Sequence, residues 1–140
     1  IDPAHRVLEV GTGSGFTAAV MSHMAQRVTT AERFKSLCES ARSRMEALRI
    51  TNVAIRHADA SNGLNGEGPF DRIVVWAAFD ALPRAFVDQL ATGGVMICPI
   101  GPAEGEQVLA KLSKVGSRFE REDLMNVRFQ PLGNALAAAL

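Results

Sequence analysis

Apolar residues fall into short blocks separated by glycine-rich or charged stretches, and the period inside each block assigns its secondary structure. Residues 6–10 (RVLEV) form a brief apolar run that ends in glycines, as a buried strand entering a tight turn does. Small and apolar residues at helical spacing fill 16–25, and the β-branched run 27–31 reads as a second strand. Between 34 and 48, Phe34, Leu37, Cys38, Ala41, Met45 and Leu48 recur at three- and four-residue intervals while arginine and glutamate fill the other face. This spacing predicts an amphipathic helix. Residues 53–57 make a third strand, a glycine-rich loop occupies 62–69, and 70–76 is a fourth strand with no polar alternation at its centre. Pro83 suits the first turn of a short helix over 83–90, closed by Gly93 and Gly94 ahead of a fifth strand at 95–100. The last third changes character. Segments 107–113 and 119–127 read as strands joined around Gly116 with antiparallel pairing, and 135–140 as a frayed helical end.

Strands alternating with helices predict an α/β fold, a mostly parallel sheet covered on both faces with an antiparallel strand pair at one edge. No repeat, low-complexity tract or linker divides the chain, so one domain is expected over 1–140. Ligands of such sheets sit beyond the carboxyl ends of the strands, near the point where strand order reverses. The loops after the first four strands are therefore the places to look for chemistry.

The strongest signal lies in the first of them, VLEVGTGSGF at 7–16. Gly11 and Gly13 let the backbone turn and approach a ligand, and Gly15 allows the following helix to pack closely. A dinucleotide fingerprint is spaced GxGxxG and aims a helix N-terminus at a pyrophosphate. Here the spacing is GxGxG, and Glu9 stands two residues before the first glycine. A carboxylate there repels a pyrophosphate and welcomes the ammonium of a methionine moiety, directly or through water, which disfavours a nicotinamide oxidoreductase. Glu32 closes the second strand, where an acid accepts both hydroxyls of a ribose. Asp59, followed by Ala60, ends the third strand, in place to accept from an adenine amino group. The edge strand pair fits the methyltransferase variant of this fold better than the plain nucleotide-binding one.

These segments resemble the protein-L-isoaspartate O-methyltransferase family, in VLEVGTGSGF, the AER after the second strand, HAD, PFDRIVVWAAFDALP, DQLATGGVMICPIG and the C-terminal NVRFQPL at 126–132. The resemblance implies a Rossmann-like class I methyltransferase fold and S-adenosylmethionine as cofactor. It also implies methyl transfer to the α-carboxylate of isoaspartyl residues in aged proteins or peptides. Glu9, Gly11, Gly13 and Gly15 would hold the methionine end, Glu32 the ribose, and Asp59 with Ala60 the adenine. Trp76 and the stretch 128–132, with Arg128, Phe129 and Pro131 foremost, would lie near the acceptor. The family also carries an N-terminal segment with a serine-containing loop that no position here matches. The chain is expected to be N-terminally truncated, and catalytic residues stay unassigned. Two further departures are Trp76, where the family usually has Thr or Gly, and Ala60, where it has Gly.

Composition narrows the alternatives. Fifteen basic residues balance fifteen acidic ones, so no global field draws the chain to nucleic acid or an anionic membrane, and neither is expected as a partner. The longest apolar runs, 73–79 and 95–100, are too short to span a bilayer. No basic segment followed by a long apolar one opens the sequence, and Cys38 and Cys98 read as reduced core thiols, so a cytoplasmic location is expected. No Cys/His cluster suggests a metal, and His5, His23 and His57 read as surface or strand-end residues. Two alternatives stay open: a methyltransferase for another acceptor, such as tRNA or a small molecule, and a non-catalytic cofactor-binding remnant.

Overall fold

The chain runs through β1 (Arg6–Val10), α1 (Phe16–Ser22), β2 (Arg27–Glu32), α2 (Lys35–Ala47), β3 (Val53–His57), β4 (Phe70–Val75), a 3₁₀ helix (Arg84–Gln89), β5 (Leu90–Ile100), β6 (Gln107–Val115) and β7 (Arg118–Val127). In the computed structural model, which describes residues 1–140, the strands form one sheet in the order β3-β2-β1-β4-β5-β6-β7. β1 to β5 are parallel; β6 runs antiparallel to β5, and β7 to β6. The chain winds outward from β1 to β3 and crosses back to β4 on the other side of β1. Strand order thus reverses between β1 and β4, beside the glycine loop.

Alternate residues of the inner strands feed two separate cores. Val7, Val28 and Ile55 point to the face covered by α1 and α2, where they meet Ala18, Met21, Cys38, Ala41 and Met45. Leu8, Val10, Ile73, Val75, Met96 and Leu112 point to the other face, against Phe79, Phe86 and Leu64. Burying each such side chain contributes about 1.5–3 kcal/mol. The expectation of helices on both faces is only partly met. Both α-helices lie on one face, while the other is closed by the 3₁₀ helix and loops, because 58–69 connects β3 to β4 without a helix.

Three local expectations change. The helix expected over 83–90 is a 3₁₀ helix over Arg84–Gln89. Gly93 and Gly94 do not terminate it; β5 already begins at Leu90, and its pairing with β4 shifts register between Leu90 and Val95. A Cβ on Gly94 would lie 2.8 Å from the Ala91 carbonyl, so this irregular stretch requires the missing side chain. The tail at 135–140 is not helical, since its backbone groups are spent on partners outside the tail. Ala135 N–H donates to Asp59, Ala137 N–H to the Arg33 carbonyl, and the carbonyls of Ala137 and Ala138 accept from Lys35 and Ser36. These last two bonds satisfy the first turn of α2, whose N-cap Phe34 offers no side-chain acceptor.

β7 is the exposed edge, and it carries Arg118, Glu120, Arg121, Glu122 and Asp123. Charges of both signs on an edge discourage pairing with another chain. One of them, Glu122, pairs with Lys111 of β6 at 2.8 Å.

Candidate functional site

Three glycines with positive φ shape the turn after β1: Gly11 at +97°, Gly13 at +53° and Gly15 at +84°. Gly15 also faces α2 more than the strand, for a Cβ there would stand 2.9 Å from Met45 Cε and 3.2 Å from Ala41 Cβ. The turn is held from β2. Gly11 N–H donates to the Ala31 carbonyl at 2.9 Å, and Gly13 N–H to Glu32 Oε2 at 3.0 Å. The other Glu32 oxygen accepts Phe34 N–H at 3.1 Å. One buried carboxylate thus ties the glycine loop to the loop after β2, and each of its oxygens keeps a lone pair for a ligand hydroxyl.

Above this tie lies a cleft of about 280 Å³. It is lined by Gly11, by Glu32, Arg33 and Phe34, by Ala58 and Ala60 beyond β3, and by a wall of Ala77 with 130–133 that meets Arg33 at Gly133. The wall is a short arm following β7. Ala78 N–H donates to the Gln130 carbonyl and Leu132 N–H to the Ala78 carbonyl, both at 2.8 Å. Gln107, the first residue of β6 and buried, holds the arm's root: its Oε1 accepts Phe129 N–H at 2.7 Å, and its Nε2 donates to the carbonyls of Phe129 and Pro102. Further along, the tail crosses Arg33, whose guanidinium donates to the Asn134 carbonyl at 2.6 Å and lies 4.4 Å from the Phe34 ring centroid.

The cleft brings together Gly11, Glu32, Ala60 and Pro131 of the expected site residues. Asp59 stands exposed at its edge. Its Oδ1 accepts Ser61 N–H at 2.9 Å and its Oδ2 accepts Ala135 N–H at 2.8 Å, and these amides hold the carboxyl below its ordinary range. Glu9 lies beneath the loop, fully buried, and does not face the cleft. Its carboxylate accepts from Thr17 Oγ1, from Thr30 Oγ1 at 2.6 Å and from the Trp76 indole at 2.9 Å. Burial pushes the Glu9 carboxyl up, the three donors pull it down, and Glu32 adds a smaller upward push. Trp76 and Phe129 form a stacked pair with ring centroids 6.5 Å apart beside the loop. Arg128 points away, lining a shallow depression with Gly105, Glu106 and Asn126.

Arg33, Phe34 and Ala77 line the cleft without having been singled out from sequence, whereas Gln130 and Leu132, expected near the acceptor, line it beside Pro131. Arg33 and Phe34 directly follow Glu32 and had a positional signal. The arm's place depends on Gln107, a polar residue at the head of an apolar strand, and only its burial reveals that role.

The family model for protein-L-isoaspartate(D-aspartate) O-methyltransferase matches residues 1–137. The chain belongs to this family. A protein-L-isoaspartate O-methyltransferase of Rhizobium meliloti is 46% identical over 140 residues, covering 100% of this chain and 69% of that protein. A solved structure of a protein-L-isoaspartate O-methyltransferase superposes with a TM-score of 0.87 at 31% identity, over 96% of this chain and 44% of the other. A Plasmodium falciparum structure carrying the same enzyme name, in complex with S-adenosyl-L-homocysteine, superposes with a TM-score of 0.76 at 28% identity, over 94% and 67%. The chain spans about two thirds, 62–69%, of the length of the curated relatives it matches. Like these methyltransferases it has a Rossmann-like fold, and the strand-order reversal beside the glycine loop puts the cleft where ligands of such sheets sit. No helix is long and apolar enough to cross a membrane.

Proposed function

We propose that this chain binds S-adenosylmethionine across the carboxyl ends of β1, β2 and β3 and directs its methyl group to the α-carboxylate of L-isoaspartyl residues in damaged proteins. The observation that carries the reading is Glu32. Its carboxylate is fixed by two backbone N–H groups, faces the cleft and keeps a free lone pair on each oxygen. That is the donor-accepting group a ribose diol requires. The residues around it fit the rest of a nucleoside: Ala58, Ala60 and Pro131 offer apolar surface to the faces of a purine, and Asp59 offers an acceptor at the cleft's edge. Backbone at Gly11 leads from there toward Glu9 and the Trp76–Phe129 pair, where the amino-acid end and the acceptor would be placed.

S-adenosylmethionine, when bound, supplies a methyl group already activated by its sulfonium. A carboxylate acceptor is ionised at neutral pH, so no side chain of this chain is asked to remove a proton. The work left to the protein is orientation, holding acceptor oxygen, methyl carbon and sulfur in line. Glu32 and the arm set the cofactor's position, and the loop after β4 borders the acceptor side. A cytoplasmic setting belongs to the same reading, supported by two free, buried thiols.

The test is transfer of labelled methyl from S-adenosylmethionine to an isoaspartyl peptide and to its aspartyl isomer. Label in the isoaspartyl peptide alone is the expected result. Cofactor binding with label in neither peptide would remove the acceptor half of the proposal.

A further inference from the structure

Glu9 is closed off from solvent by groups of two kinds. Thr17 of α1 and Thr30 of β2 donate to it from within the fold. Thr30 spends its single proton on Glu9, so in its 2.6 Å contact with Thr12 it accepts. The remaining donor is the Trp76 indole, and Trp76 is the exposed residue of the set, at 39%. It stands at the carboxyl end of β4, its Cβ 3.5 Å from the place a Cβ on Gly11 would take, with its ring against Phe129. The indole therefore separates Glu9 from solvent on the glycine-loop side. A carboxylate oxygen has two lone pairs, and Oε1 already accepts from both Thr17 and Trp76. A ligand ammonium reaching for that oxygen meets a filled seat, while Oε2, which accepts from Thr30 and keeps one lone pair, belongs to a side chain with no solvent exposure.

We infer that Trp76 is a specificity-determining residue that occupies, on Glu9, the place of a ligand's ammonium group. The site then takes 5′-thioadenosine nucleosides without an amino-acid end as it stands, and S-adenosylmethionine or S-adenosylhomocysteine only as the indole leaves Glu9. The inference rests on the cofactor reading above. It separates the two ends of the site: Glu32, Ala60 and Pro131 line the nucleoside cleft, whose lining does not include Trp76, whereas Glu9 and the indole govern the amino-acid end.

Calorimetric titration of the full chain with S-adenosylhomocysteine and with 5′-methylthioadenosine tests this, in wild type, Trp76→Thr and Trp76→Phe. Trp76→Thr frees both the lone pair and the space, and S-adenosylhomocysteine should bind roughly tenfold tighter, the lower end for a hydrogen bond to a charged group. Affinity for 5′-methylthioadenosine should stay unchanged. Trp76→Phe keeps a ring beside Phe129 and loses only the N–H donor, so it should shift affinity in the same direction. Trp76 is the single tryptophan in a chain without tyrosine, so intrinsic fluorescence of the wild type reports its movement directly. Saturation with S-adenosylhomocysteine should red-shift the emission, and 5′-methylthioadenosine should leave it in place. Equal or weaker binding of S-adenosylhomocysteine in both variants, or unchanged emission at its saturation, overturns the inference while leaving the cofactor reading intact. Failure of both ligands to bind wild type and variants overturns the cofactor reading, and this inference with it.

Discussion

Glu9, Glu32 and Asp59 are three carboxylates at the ends of neighbouring strands, and their surroundings give them three different capacities. Glu32 is held by two backbone amides and still faces the cleft; Glu9 is sealed beneath the loop; Asp59 is exposed and engaged by the amides of Ser61 and Ala135. All three were legible as candidate ligand acids, Glu9 for a methionine ammonium, Glu32 for a ribose and Asp59 for an adenine, because strand-end position and residue type both show in the sequence. Which of them faces the cleft was not, since that depends on Trp76 and on a tail amide far away in the chain. The depressed carboxyl of Asp59 yields a pH prediction. Its folded-state value lies below its ordinary one, so the stability it lends is present above the ordinary carboxylate range and lost as pH falls through the folded value. Hydrogen exchange at the Ala135 amide should accelerate on acidification through that window relative to core amides. Asp59→Asn should abolish that step; the same acid profile in the variant would place its origin elsewhere.

At the scale of elements, the arm after β7 shows how a connection becomes part of a site. One buried glutamine side chain makes three hydrogen bonds that fix Phe129 and Pro102, and from there the chain is laid across the loop after β4. Gln107→Leu removes these partners and leaves the buried end of the arm unsatisfied. It should cost about 1–3 kcal/mol in urea unfolding and weaken nucleoside binding by loosening the Pro131 wall. Full stability with unaltered binding would mean that the arm is held by other contacts. The elements themselves were readable where periodicity was strong: β1 to β4, α2 and the β6–β7 pair appear within a few residues of their expected bounds. Sequence misled where tertiary partners override local pattern. The alanine-rich tail has high helix propensity, but its backbone groups bond to Asp59 and residues 33–36 instead. The Gly93–Gly94 pair looked like a helix stop because the register shift of β5 has no local signature.

At the scale of the whole molecule, a sheet with a separate core on each face places both cysteines in the interior, Cys38 on the buried face of α2 and Cys98 in β5. Burial raises both thiols, Cys98 to about 12. The folded protein at neutral pH should therefore resist alkylation by iodoacetamide and gain two adducts by mass once unfolded in urea. Ready labelling of either thiol under native conditions would contradict the packing described here. The same sheet, reversing strand order beside a glycine turn, makes the cleft the meeting point of three strand ends, and the central claim is that this cleft is a cofactor site. Calorimetric titration with S-adenosylhomocysteine, comparing wild type with Glu32→Ala, tests that most directly. The account predicts saturable one-to-one binding to the wild type, weakened roughly tenfold or more by the substitution. Absence of binding to well-folded wild type, or undiminished affinity in a folded Glu32→Ala variant, would contradict it.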